Sequence, residues 1–191
     1  MWLVESIYYK SKFEKRVWPW QRGYVSWKIA THSKGLHSHE ELIFSWKVIV
    51  SFMEQGGYSL SDMSALMGIP VYSGLDVCYS SSSRDHGVRF KPYFEVYKDG
   101  QRWDREGVTS DMQKALIMLA DAIPEVGKPY DWPGVTGFKI SFVDENPDKW
   151  YCTERCDSCK RTAGLWPEFY QSHPCESYRL QKFLTNAGVC K

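Results

Sequence analysis

The chain has no apolar run near the roughly 20 residues that a membrane-spanning helix needs. Its most apolar stretches, 46–53 and 115–123, are far shorter. No basic segment followed by an apolar stretch stands at the start, so no secretory signal is expected and synthesis in a cytoplasm is. Charge of one sign is not in excess: 24 Lys and Arg face 23 Asp and Glu, which removes any global argument for nucleic-acid binding. Six cysteines in 191 residues are too few for a disulfide scaffold, and in a cytoplasm their expected states are reduced thiol, metal ligand or nucleophile. There is no internal repeat, no dividing linker rich in Pro and Gly, and no low-complexity tract beyond the four serines 80–83. One domain over 1–191 is expected.

What is present is a globular composition, 43% hydrophobic and 25% charged, which excludes a wholly disordered chain. Nine Trp and twelve Tyr suit a rigid core or an aromatic-lined groove; Trp27, Trp132, Trp150 and Tyr151 are read first as core. Charge is uneven along the chain. Residues 1–50 hold eight basic and four acidic side chains, 51–148 nine and fifteen, and 149–191 seven and four. Scattered solvated surface accounts for this. The sharper alternative is that the two basic ends meet and face an anionic or carboxylate-bearing substrate.

Residues 24–30 (YVSWKIA) are aromatic and β-branched and read as a strand. Residues 38–45 (SHEELIFS) alternate, putting His39, Glu41 and Ile43 on one face and Glu40, Leu42 and Phe44 on the other. Short apolar pieces over 46–70 predict helical excursions. Residues 88–98 read as one or two strands, with Pro92 forcing an edge or a bend. A helix is predicted over 111–126, opened by a capping-box pattern at Ser110 and Gln113 and shortened by Pro124. Further helices are expected over 150–164, with Cys152 near the first turn, and over 177–187. Strands early and helices late make an α+β protein.

Four cysteines cluster late, Cys152-x3-Cys156-x2-Cys159 and then Cys175, with His173 two residues before the last. One explanation is structural zinc on Cys156, Cys159, His173 and Cys175, a tetrahedral soft-ligand set. A second is that Cys156, Cys159, Cys175 and Cys190 are small buried hydrophobes. The third concerns Cys152 alone: a thiol at a helix start meets the positive end of the macrodipole and free backbone N–H groups, which favour thiolate and can hold an oxyanion. Such a nucleophile needs a base. Of the five histidines, His39 starts a patterned strand and shares its face with Glu41, which is placed to fix the ring tautomer.

The segments SHEELIF (38–44), GKPYDWPG (127–134) and WYCTE (150–154), in that order, resemble the circularly permuted NlpC-type papain-like fold. GVRFK (87–91) and Trp103-Asp104 are similar to phage-encoded members. The resemblance spans about 24–166 and implies an antiparallel sheet carrying the His strand, packed on helices, with the Cys at a helix N-terminus. It implies a Cys152 nucleophile, a His39 base, Glu41 as third member, and Tyr130 and Asp131 lining or supporting the site. The implied activity is a cysteine-dependent hydrolase or acyl transferase acting on an amide or ester, with a peptide, peptidoglycan-type or other acyl substrate, no cofactor and no nucleic acid. A phage-encoded member would work in a host cytoplasm or virion. Three features depart from the family pattern: Thr153 follows the nucleophile, Glu40 sets a second carboxylate beside His39, and 46–76 is a long insertion suited to a lid, substrate wall or docking surface. The competing expectation is a zinc-stabilised, non-enzymatic interaction or virion module.

Overall fold

Alternation along β2 (His37–Phe44) divides the molecule into two faces. The computed structural model describes residues 1–11, 24, 27–29, 36–133, 148–167 and 174–189. In it β2 is the middle strand of a five-stranded antiparallel sheet with order β4-β3-β2-β1-β5. The other strands are β1 (Val4–Lys10), β3 (Val77–Ser82), β4 (Gly87–Pro92) and β5 (Trp103–Thr109). Pro92 ends edge strand β4, where its missing N–H costs no ladder bond. The expected second strand after it is instead a short helix, α3 (Tyr93–Val96). α1 (Trp46–Gly56) and α2 (Leu60–Met67) lie between β2 and β3.

Leu42, Phe44, Val77, Tyr79, Val88, Phe90, Val4 and Val108 share one face and build the main core. Helices α1, α2, α4 (Met112–Ala122) and α5 (Cys152–Thr162) cover it through Val48, Ile49, Met63, Met67, Leu116, Leu119, Cys156 and Cys159. Burying each large aliphatic or aromatic side chain there contributes about 1.5–3 kcal/mol. The opposite face is thinner: Ile7, Ile43 and Cys78 pack with Tyr93, Val96, Tyr97 and Trp103. α6 (Pro174–Asn186) lies against β5 and β2, with the Gln181 amide donating to the Gly107 carbonyl at 2.7 Å. The architecture is α+β, a five-stranded antiparallel sheet packed with helices.

Three expectations change. Tyr24 and residues 27–29 are helical, not a strand; the aromatic and β-branched preference there yields to tertiary context. Helix α4 is capped by Asp111, whose carboxylate accepts from the Lys114 N–H at 3.1 Å, rather than by Ser110. Pro124 then tightens the end into a short 3-10 turn. The 46–76 segment supplies Val48, Ile49, Met63 and Met67 to the main core, so its helices form part of the scaffold rather than a lid. As the alternation predicts, Glu40 lies on the face opposite His39, where the Lys160 ammonium donates to it at 2.6 Å.

Candidate active site

His39 follows the regular alternation of β2, whereas His37 owes its position to a β-bulge. Tyr9 pairs with His39 but Lys10 with His37, so Ser38 is the extra residue. Were the pairing regular through Ser38, His37 and His39 would share a face. With the bulge, His37 turns toward α6, packs at a tilt against Tyr178 with ring centroids 4.2 Å apart, and donates to Asp104 at 2.8 Å. His39 faces the open side. Its Nε2–H donates to Glu41 Oε1 at 2.9 Å, and Cys152 lies near enough for its charge and hydrogen bonding to act on the ring.

Glu41 is 1% exposed, and a carboxylate so buried needs a cation. Arg89 on β4 provides it in a two-pronged pair, Nη1 to Oε2 at 2.8 Å and Nη2 to Oε1 at 2.5 Å. Asp85, in the β3–β4 turn, accepts from Arg89 Nε at 2.9 Å and also pairs with Lys91. Asp85, Arg89, Glu41, His39 and Cys152 are thus linked in series. Burial works to raise the Glu41 carboxyl, but the Arg89 charge and the His39 hydrogen bond bring it down to about 2. For His39, burial pulls downward, while the charge and hydrogen bond of Cys152, then those of Glu41, lift it to about 9. The ring is an imidazolium at neutral pH.

Cys152 is the first residue of α5, after the extended Tyr151 at the cap. Glu154 accepts from the Tyr151 N–H at 3.3 Å and keeps that helix start in place. Three contacts locate the approach to it. The Ser81 hydroxyl donates to the Trp150 carbonyl at 2.5 Å, the Trp150 indole donates to Glu125 at 2.5 Å, and Tyr130 forms a bridge with Trp150. Gly87 permits the last of these. A Cβ there would come within 2.0 Å of the Lys128 carbonyl oxygen, and the backbone φ is +153°. Only glycine lets the 127–130 segment lie this close to β4.

The cleft beside His39 has a volume of about 570 Å³ and is lined by Tyr9, Tyr24, His39, Glu41, Trp103 and Tyr130 among others. Cys152 is 2% exposed and does not itself line it. Tyr130 does, and its hydroxyl is pushed up by burial first and then by the charges of Cys152 and Asp131. Asp131 is 4% exposed, with its N–H donating to the Trp150 carbonyl at 3.0 Å. Hence all five residues expected at the site (Cys152, His39, Glu41, Tyr130 and Asp131) fall at one place where β2, α5 and the 129–131 segment converge. Arg89 was not anticipated. A buried glutamate on a central strand was the signal, together with the VRF alternation that turns Arg89 to the face of His39 and Glu41.

The cysteines proposed as zinc ligands stand in separate surroundings. Cys156 approaches the carbonyls of Glu40 and Tyr79 at 3.7 and 3.8 Å. Arg155 donates to Cys159 at 3.2 Å, and Cys175 donates to the His37 carbonyl at 3.2 Å. His173 and Cys190 lie outside the described residues. Among the described residues no group of three or more His, Cys, Asp or Glu is disposed to hold a metal ion, and no helix is long and apolar enough to cross a membrane.

No protein-family model matches this chain, and none of the curated proteins searched matches it by sequence.

Proposed function

We propose that the chain is a cysteine-dependent hydrolase of amide or ester bonds, built on a permuted papain-like fold of the NlpC type. The observation that carries this reading is the series Cys152–His39–Glu41, with the thiol at a helix start, the histidine bonded to Glu41, and Cys152 close enough to act on the ring. Chain order supports it too, since the histidine strand precedes the cysteine helix. In the proposed reaction Cys152 Sγ bonds to the substrate carbonyl carbon, and the charge moves onto the oxygen beside the first N–H groups of α5. Collapse breaks the bond to the leaving group, which takes the proton from His39 Nδ1. Water then gives a proton back to His39 and displaces Sγ, releasing the acid. Glu41, ionised by Arg89, keeps Nε2 protonated and the ring in orientation, as the third member of such triads does. Peptides, peptidoglycan-type peptides and other acyl compounds are the substrate classes considered.

The other thiols make the test selective. Burial pushes Cys78, Cys156 and Cys159 upward, with desolvation the leading cause in each. A low dose of iodoacetamide at neutral pH is therefore expected to modify Cys152 first, as read by peptide mass mapping. Cys152→Ala should remove that label and lower hydrolysis of an activated ester by about 10³-fold or more while leaving the unfolding midpoint within a few degrees. Labelling that persists in the alanine variant, or falls on other cysteines in the wild type, removes the basis of the reading.

A further inference from the structure

The cations of the cleft point to what it holds. Arg89 and Lys91 are already answered by Glu41 and Asp85. Arg84, Lys98 and Arg102 also line the cleft, and among the described residues none of these three is in an ion pair, although Glu95 and Asp99 line it as well. Arg102 is the one with a fixed place. Its guanidinium lies over the Tyr9 ring, 4.5 Å from the centroid, and Nη2 donates to the Lys10 carbonyl at 3.4 Å. Its Nε–H is buried with no acceptor, a state that is unfavourable until an acceptor arrives.

Register places this guanidinium relative to the reacting groups. Tyr9 is the cross-strand partner of both His39 and Trp103, so those three residues form a row across the open face. Arg102 covers the middle of the row. A second unsatisfied group stands at its end: Ser38, the bulge residue before His39, lines the cleft, is 3% exposed, and has no partner for its hydroxyl. A guanidinium with an unanswered N–H and a hydroxyl without an acceptor together match a carboxylate better than any neutral group.

We infer that the cleft takes an acyl chain bearing a carboxylate, with Arg102 as the cation that pairs with it and Ser38 as a neighbouring donor. This rests on the hydrolase reading for the choice of scissile bond, but the anion site itself does not depend on turnover. An anchor on the acyl chain serves both half-reactions, whereas one on the leaving group serves only the first. The recognition step is binding alone and adds no covalent chemistry.

Two measurements separate the two readings. The p-nitrophenyl half-ester of adipic acid and neutral p-nitrophenyl hexanoate are compared as substrates of wild type, Arg102→Gln and Arg102→Lys. The wild type is expected to prefer the anionic ester in kcat/KM, the Gln variant to lose that preference by about tenfold or more, mainly through KM, and the Lys variant to keep part of it. An equal change on both esters, or no preference in the wild type, overturns the inference while the hydrolase reading stands. Should neither ester be turned over, titration of adipate into Cys152→Ala protein decides: a Kd at least tenfold weaker on adding Arg102→Gln supports the anion site and leaves the hydrolase reading to fall alone. Adipate binding that ignores Arg102, or is absent, removes the anion site. Unfolding midpoints of the three proteins guard against a folding artefact.

Discussion

Glu40 and Glu41 are neighbours on one strand, almost equally buried at 0% and 1% exposure, and each meets a cation brought from far along the chain. Their surroundings nonetheless differ in kind. Glu40 lies inside the helical core, where Lys160 donates to it and to Asp157 at 2.6 and 3.2 Å, and the Ser6 and Ser177 hydroxyls donate to its two oxygens. Every member of that group is closed off from solvent. Glu41 holds a histidine whose side chain is 23% exposed and borders a cleft. Burial and ion pairing alone therefore do not mark a site of chemistry. On the proposed reading, what sets Glu41 apart is that its buried pair joins a titratable ring at the edge of a cavity.

Substitutions on the two sides should separate these roles. The largest effect is expected from Lys160→Ala, which leaves Glu40 and Asp157 buried without their cation. A loss of about 3–5 kcal/mol in urea unfolding at pH 8 is expected, and a smaller loss at pH 5, where protonation relieves the repulsion. Next is Glu41→Gln, expected to lower kcat by on the order of 10²-fold or more. His39 is held up at about 9 partly by Glu41, so the wild-type rate should fall on the alkaline side near pH 9 as the imidazolium loses its proton. The Gln variant should show that limb at lower pH. The sign for stability agrees: a histidine raised from its ordinary value contributes fully below pH 6.5 and loses that contribution as pH passes about 9. A stability loss in Glu41→Gln as large as in Lys160→Ala, with no change in the pH limb, would erase the contrast. The smallest effect is expected from Asp157→Asn, within about 1 kcal/mol. One of its oxygens already lacks a partner, and burial pushes its carboxyl upward, so a neutral side chain is close to what the core prefers.

The parts of this molecule that could be read from its residues are those governed by local periodicity. The SHEELIF alternation correctly divides Glu40 from Glu41, and the buried stripe of α4 follows from apolar spacing. Strands β1 and β5 escaped because VESIYYK and WDREGVT mix charge into both faces, which a central strand beside α6 and a polar edge strand tolerate. The bulge at Ser38 is invisible in spacing, yet it turns His37 away from the face that His39 takes by alternation. Two basic ends meeting around a substrate are half of what is found. Residues 39 and 152 do converge, but the cations lining the cleft come from 84–102, within the segment of net negative charge. Pairwise neutralisation, which a charge count along the chain cannot express, sets which of them stay available.

The separation of β2 from α5 also sets an order of events during synthesis. More than a hundred residues lie between His39 and Cys152, and β1 waits for β5 before its second edge is paired. At roughly 5–20 residues per second, the histidine strand leaves the ribosome on the order of ten seconds before the nucleophile. Sheets closed by such distant contacts fold slowly. On the proposed reading, a nascent chain carries the base and its carboxylate but no attacking thiol, so it stays inert toward its neighbours until α5 docks. Activity would then appear in a single late step, together with the completed core.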